Sequence, residues 1–232
     1  IIETKEEILH SDTLYYWLEN EYAVFQSNGS IKNTKIYVKA QYGWVNQKKG
    51  EAFLNKNVQI TNLENNSILR ADTSFLFNEM NHSISYGNAL LSMPLNEDTL
   101  YLTADTLLQQ KKPEGNLLEA YPKANFKSVD MVGFCDSLSY STKEENLFLN
   151  KEPVIWLDQF QLTSDSIRIL LNKDLIKMAF LNKSAFITSE VDSNSFNQIS
   201  GENMKAYFHK NELSNIEVIG NGESVYYVTD KK

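Results

Sequence analysis

Aspartates followed by threonine or serine recur at regular spacing along the chain, at Asp12, Asp72, Asp105, Asp136 and Asp165. A carboxylate beside a hydroxyl is raw material for general acid–base or covalent chemistry, in which it takes a proton from a nucleophile or attacks on its own account. Such chemistry needs one or two special copies with a base, a metal or a second carboxylate converging on them. A copy in every structural unit points to a structural role instead.

The other reactive residues offer no such partner. His10, His82 and His209 are far apart and match no H-x-x-x-H or H-x-H ligand spacing, so no metal site is read from them. Cys135 is the one cysteine, without a disulfide partner or a C-x-x-C neighbour, and reads as a buried, inert thiol. No G-x-S-x-G elbow, phosphate-binding loop or dinucleotide fingerprint occurs, and no cofactor is implied. N-x-S triplets at Asn28, Asn65, Asn81 and Asn182 match the glycosylation acceptor, a frequent chance match that here coincides with predicted turns.

The formal net charge of −8, with no clustered Lys/Arg stripe, argues against a nucleic-acid partner. No run of about 18 apolar residues could span a bilayer as a helix. The chain begins abruptly at IIETKEE, as a mature protein trimmed of a targeting signal would, and its composition reads as soluble.

The elements that must position the aspartates are strands. Tyr, Phe, Ile, Val and Thr come in short runs broken by Asn, Lys, Asp and Ser, while Gly (9) and Pro (4) are scarce. KIYVKAQ, SILRADTSFLF, DSIRILL and ESVYYV alternate or cluster apolar residues, so the fold class is all-β. One helix candidate spans 5–22, and its β-rich middle argues against it.

The aspartates recur with a period. Gln41 falls in phase between Asp12 and Asp72, and Asn203 after Asp165, giving steps of 29, 31, 33, 31, 29 and 38 residues. Seven units of about 31 residues fill the chain, and no linker or composition break divides it, so a single domain over 1–232 is expected. A second beat, QSNGSI, LNKNVQI, YGNALL, YPKANF, LNKEPVIW, LNKSAFI and IGNGESVYY, supplies a turn followed by an apolar strand. Each unit is thus two strands and two turns.

Apolar or small residues sit three and one positions before each aspartate, as in Leu69 and Ala71 or Leu162 and Ser164. After it the apolar positions move to plus two and plus four, as in Leu138 and Tyr140 or Ile167 and Ile169. Side chains alternate strictly along a regular strand, so this switch of parity requires a bulge or corner at the aspartate. Asp12, Asp72, Asp105, Asp136 and Asp165 are therefore read as structural corners, whose short polar side chains serve backbone amides that lose their ladder partners. The same D-[ST]-[LI] pattern resembles an acceptor for O-glycosylation in some bacterial periplasmic proteins.

LRADTSFLF with ISYGNALLS, LTADTLLQQ with EGNLLEAYPKANFK, MVGFCDSLSYS with LNKEPVIW, and the closing IEVIGNGESVYYV resemble the OstA-like (organic solvent tolerance) family, the type of LptA and the N-terminal domain of LptD, in wording closest to Bacteroidetes-type members. The likeness runs over nearly the whole chain; longer turns such as SEVDSNSFNQ and the atypical Asn203 depart from it. It implies an elongated twisted β-jelly roll, two antiparallel sheets facing each other as a V, and a periplasmic protein reaching the inner or outer membrane through partners. It also implies the partners: lipopolysaccharide or lipid A, other jelly-roll proteins of the transport bridge, and a second copy joined head to tail through strand addition. An apolar groove could hold acyl chains at about 0.8 kcal/mol per buried CH₂ without catalysis. The groove candidates are Leu14, Tyr16, Val58, Ile60, Leu107, Leu138, Tyr140, Val154, Trp156, Ile167 and Ile169. A non-enzymatic lipid carrier, a ligand-free self-assembling scaffold and a carbohydrate-active enzyme are the competing readings. The even spacing of the aspartates counts against the enzyme.

Overall fold

The computed structural model describes residues 1–4, 7–77, 81–95, 98–129, 131–172 and 175–227. The chain is all-β and antiparallel, and divides into two compact units, 1–122 and 123–232. The first contains β1 (Ile2–Glu3), β2 (Ile8–His10), β3 (Thr13–Trp17), β4 (Tyr22–Lys32), β5 (Ile36–Asn46), β6 (Glu51–Asn62), β7 (Ile68–Phe77), β8 (His82–Pro94), β9 (Thr99–Lys112) and β10 (Gly115–Tyr121). The helix candidate near the N-terminus resolves into β2, β3 and a single 3₁₀ turn, Leu18–Asn20. Its aromatic and β-branched residues pair with β4 rather than coil.

Each long strand of this unit is bent once and serves two half-sheets. One half-sheet runs from β3 through Tyr22–Gln26, Tyr42–Asn46, Glu51–Asn55, Thr73–Phe77 and His82–Tyr86 to β9 and β10. The other runs from β1 and β2 through the far halves of β4, β5, β6, β7 and β8 to the first half of β9. Their facing sides share one core: Leu9, Ile31, Val38 and Val58 from one meet Ala23, Phe25, Val45 and Leu54 from the other.

The second unit repeats the plan with β11 (Ala124–Lys127), β12 (Met131–Cys135), β13 (Ser137–Ser141), β14 (Asn146–Asn150), β15 (Val154–Leu157), β16 (Phe160–Thr163), β17 (Ser166–Asn172), β18 (Leu175–Asp192), β19 (Ser195–His209), β20 (Glu212–Ile219) and β21 (Glu223–Val225). One half-sheet is β13, β14, β17, then the first half of β18, the second half of β19, and β20. The other is β11, β12, β15, β16, then the second half of β18, the first half of β19, and β21.

The crease follows the parity argument. In β7, Leu69 and Ala71 are buried before Asp72, and Ser74 and Leu76 after it. In β5, Val38 and Ala40 give way to Gly43 and Val45 around Gln41, and Leu162 and Ser164 give way to Ile167 and Ile169 around Asp165. The last unit obeys the rule one residue earlier than its sequence suggested. Gly201 precedes the corner and Met204 and Ala206 are buried after it, so Glu202 occupies the aspartate's place and Asn203 follows it.

The second beat marks a bend rather than a hairpin turn, inside β4, β6, β8 and β18 and between β10 and β11, β14 and β15, and β20 and β21. Ser27–Asn28, Lys56–Asn57, Gly87–Asn88, Lys151–Glu152 and Lys183–Ser184 all have positive φ, and the four pairs within strands insert two residues where a neighbouring strand inserts one. Asn and Gly tolerate that region best, which explains their recurrence. Asn28 and Asn182 therefore lie at or beside bends.

Candidate functional site

The aspartates are part of the crease, and the partners resolved for their side chains belong to the facing bends. Asp12 and Asp72 each accept a hydrogen bond from the asparagine of the facing bend, Asn28 Nδ2 at 2.7 Å and Asn88 Nδ2 at 2.9 Å. Asp136 pairs with Lys151 Nζ at 2.6 Å. The backbone amides of Asp12, Asp105 and Asp165 reach the carbonyls of Ser27, Pro122 and Lys183, at 3.1 to 3.2 Å. The corner side chains thus bond to the bend on the adjacent strand, and the corner amides find acceptors in place of regular ladder partners. Thr73, the hydroxyl following Asp72, is buried and accepts from Asn55 Nδ2 at 2.9 Å.

A second corner device escaped the sequence reading. The small residue before the aspartate is a bridge where it has a polar atom: Ser11 Oγ, Cys135 Sγ and Ser164 Oγ each donate to the carbonyl two residues on, at 3.1, 3.2 and 2.7 Å. The available signal was the recurrence of Ser and Cys among the small residues. Burial pushes the Cys135 thiol up to about 11; the Asn150 backbone opposes that shift and the nearby Asp136 carboxylate adds to it. Among the described residues no group of three or more His, Cys, Asp and Glu is placed to hold a metal.

The remaining candidate is the cleft between half-sheets, and its predicted lining divides three ways. Val58, Leu107, Leu138, Ile167 and Ile169 point inward but are sealed by protein, none more than 5% exposed. Leu14, Tyr16, Ile60 and Tyr140 point inward farther from the crease and are half-buried. Val154 and Trp156 face the other way. Register sets them beside Phe134 and Val132 on the outer face, with Trp156 39% exposed, while Ile155 lies opposite Gly133 inside. Their place among groove residues is corrected accordingly.

At the lip of the first unit the cleft is polar. The Tyr16 hydroxyl donates to Gln47 Oε1 at 3.0 Å, and Gln47 Nε2 donates to Glu7, just before β2 on the opposite half-sheet. These residues, with Thr4, Asn33, Lys35 and Glu51, line an opening of about 810 Å³. Leu18 and Val45 are the aliphatic residues of this otherwise mostly polar lining.

The sequence matches no family model and no curated protein. Among solved structures it is similar to the crystal structure of LptH, the LptA homologous periplasmic component of the lipopolysaccharide transport device from Pseudomonas aeruginosa. The two share 10% sequence identity, with 58% of this chain and 94% of that chain covered, at a TM-score of 0.44.

Proposed function

We propose that this chain is an OstA-like, non-enzymatic lipid carrier of the periplasm. It would hold acyl chains of lipopolysaccharide between half-sheets and join other jelly-roll proteins, or its own copies, edge to edge in a transport bridge. The observation that carries the proposal is the repeated parity switch. Within each unit it turns strand after strand at a crease and keeps the inner side largely apolar, out to the half-buried Leu14, Tyr16 and Ile60 in the first unit and Tyr140 in the second. Acyl chains would lie along these outer inward-facing positions, because the residues at the crease already fill the space beside it. Ten CH₂ groups placed there are worth roughly 8 kcal/mol before the costs of ordering.

Strand addition is supported by the terminal strands of each half-sheet. Among the described residues β1 and β3 pair only with β2 and β4, and β20 and β21 only with β19, leaving ladder groups for another chain.

The second reading, a ligand-free scaffold, is favoured by the close packing of Phe25, Ile31 and Leu54, each fully buried. A photo-crosslinker at Tyr140, compared with one on the outer face, separates the two: lipid adducts at the inner position support the carrier, and adducts at neither support the scaffold.

A further inference from the structure

The outer face of the first half-sheet is unlike the outside of an ordinary β-sandwich, which is polar. Register aligns Tyr15, Val24, Trp44, Phe53, Phe75 and Ile84 in one unbroken row across adjacent strands. Flanking rows add Trp17, Tyr22, Tyr42, Phe77 and Tyr86, and the rings form a connected chain. Trp17 meets Tyr22 at 5.7 Å between centroids, Tyr22 meets Trp44 at 5.9 Å, Trp44 meets Phe53 at 6.3 Å and Phe53 meets Phe75 at 4.8 Å. The face remains open: Tyr15 is 53% exposed, Trp17 48% and Tyr86 39%.

We infer that this face is where a second copy of the chain packs, sheet against sheet. Its chemistry selects that occupant. The other residues of the flanking rows include Gln26, Asn55, Thr106, Asn46, His82 and Gln110; Glu51 and Glu119 are the charged residues of the three rows. A chain of net charge −8 meets its own copy best through such a charge-poor patch, which is the composition of a homodimer interface. A twofold axis along the apolar row lays that row on its copy.

Saccharide stacking fits less well, because a sugar stacks on a free ring face, whereas Trp44 stacks on Phe53, and Phe75 on Phe77 and Tyr86. The extent is sufficient for a dimer. Eight adjacent strands at about 4.8 Å and five residues at about 3.3 Å project to roughly 630 Å², and side-chain relief raises the accessible area toward the roughly 800 Å² per partner of a stable interface.

Sedimentation equilibrium of the whole chain tests this, with circular dichroism and urea midpoints confirming folding. The expected result is a closed dimer at about 50 µM, weakened at least tenfold in Tyr15→Glu/Tyr86→Glu and in Tyr86→Glu alone, and retained in Trp156→Glu, which alters the second unit's outer face. A monomeric wild type, a folded Tyr15→Glu/Tyr86→Glu variant that dimerises as tightly as wild type, or equal loss in Trp156→Glu overturns the inference. So does an open-ended series of masses unaffected by these variants, which would assign association to strand edges.

Discussion

Phe25 and Gly43 make the strictest test of the crease. Phe25 is fully buried, and its ring lies so close to Gly43 that an added Cβ would meet Phe25 Cζ and the Phe53 carbonyl oxygen, each at 2.5 Å. Ordinary carbon contacts lie near 3.5–4.0 Å, so Gly43→Ala forces the ring or the strand to move by about 1 Å, at a cost of about 1–3 kcal/mol. Phe25→Ala leaves a cavity instead and costs about 3–5 kcal/mol. In the double variant the ring is gone and only the Phe53 carbonyl still crowds the new methyl. Gly43→Ala is then cheaper, and the pair couples by at least about 0.5 kcal/mol. The assay is urea unfolding followed by tryptophan fluorescence in a Trp156→Phe background, where the signal comes from Trp17 and Trp44, both in the first unit. Additive costs, or a neutral Gly43→Ala, would falsify the packing argument.

Two further predictions concern the corners. Asp72→Ala removes the acceptor for Asn88 and should cost about 0.5–1.5 kcal/mol in the same unfolding assay, while Asp72→Asn keeps an acceptor oxygen and should sit nearer wild type. Cys135, pushed up to about 11 by burial from an ordinary 9.0, should alkylate at pH 8 roughly 100-fold more slowly in the folded chain than in urea. The unfolded thiol loses its proton first, so folding stability should fall as pH rises from 9 towards 11, and Cys135→Ala should fall less over that window. Equal alkylation rates in both states would contradict the buried setting.

The crease was legible in the sequence because it breaks a strict rule: when Leu162 and Ser164 hand over to Ile167 and Ile169, alternation itself fails and only a bend restores it. The second beat was visible as Asn, Gly and Lys, but those residues serve a hairpin turn or a left-handed bend equally well, and pairing over the full length of β6 and β8 decides for the bend. Faces were legible only where one side is polar. In Val154–Leu157 both alternating sets are apolar, so residue type favours the aromatic Trp156, while Gly133 opposite Ile155 fixes the interior. The same ambiguity hid the outer aromatic row, since Val24 and Phe25, or Trp44 and Val45, are adjacent apolar residues on opposite faces. The candidates closest to the crease, such as Leu107 and Ile169, are fully buried, and sequence carries no measure of how tightly facing side chains fill the space between them.

The cleft itself is tested most directly by incorporating a photo-crosslinking residue at Tyr140, which is half-buried and inward, and at Trp156, which is exposed and outward, and analysing irradiated cells for lipopolysaccharide adducts. The carrier account predicts adducts at position 140 and none at 156. Adducts confined to 156, or absent from both, would contradict it.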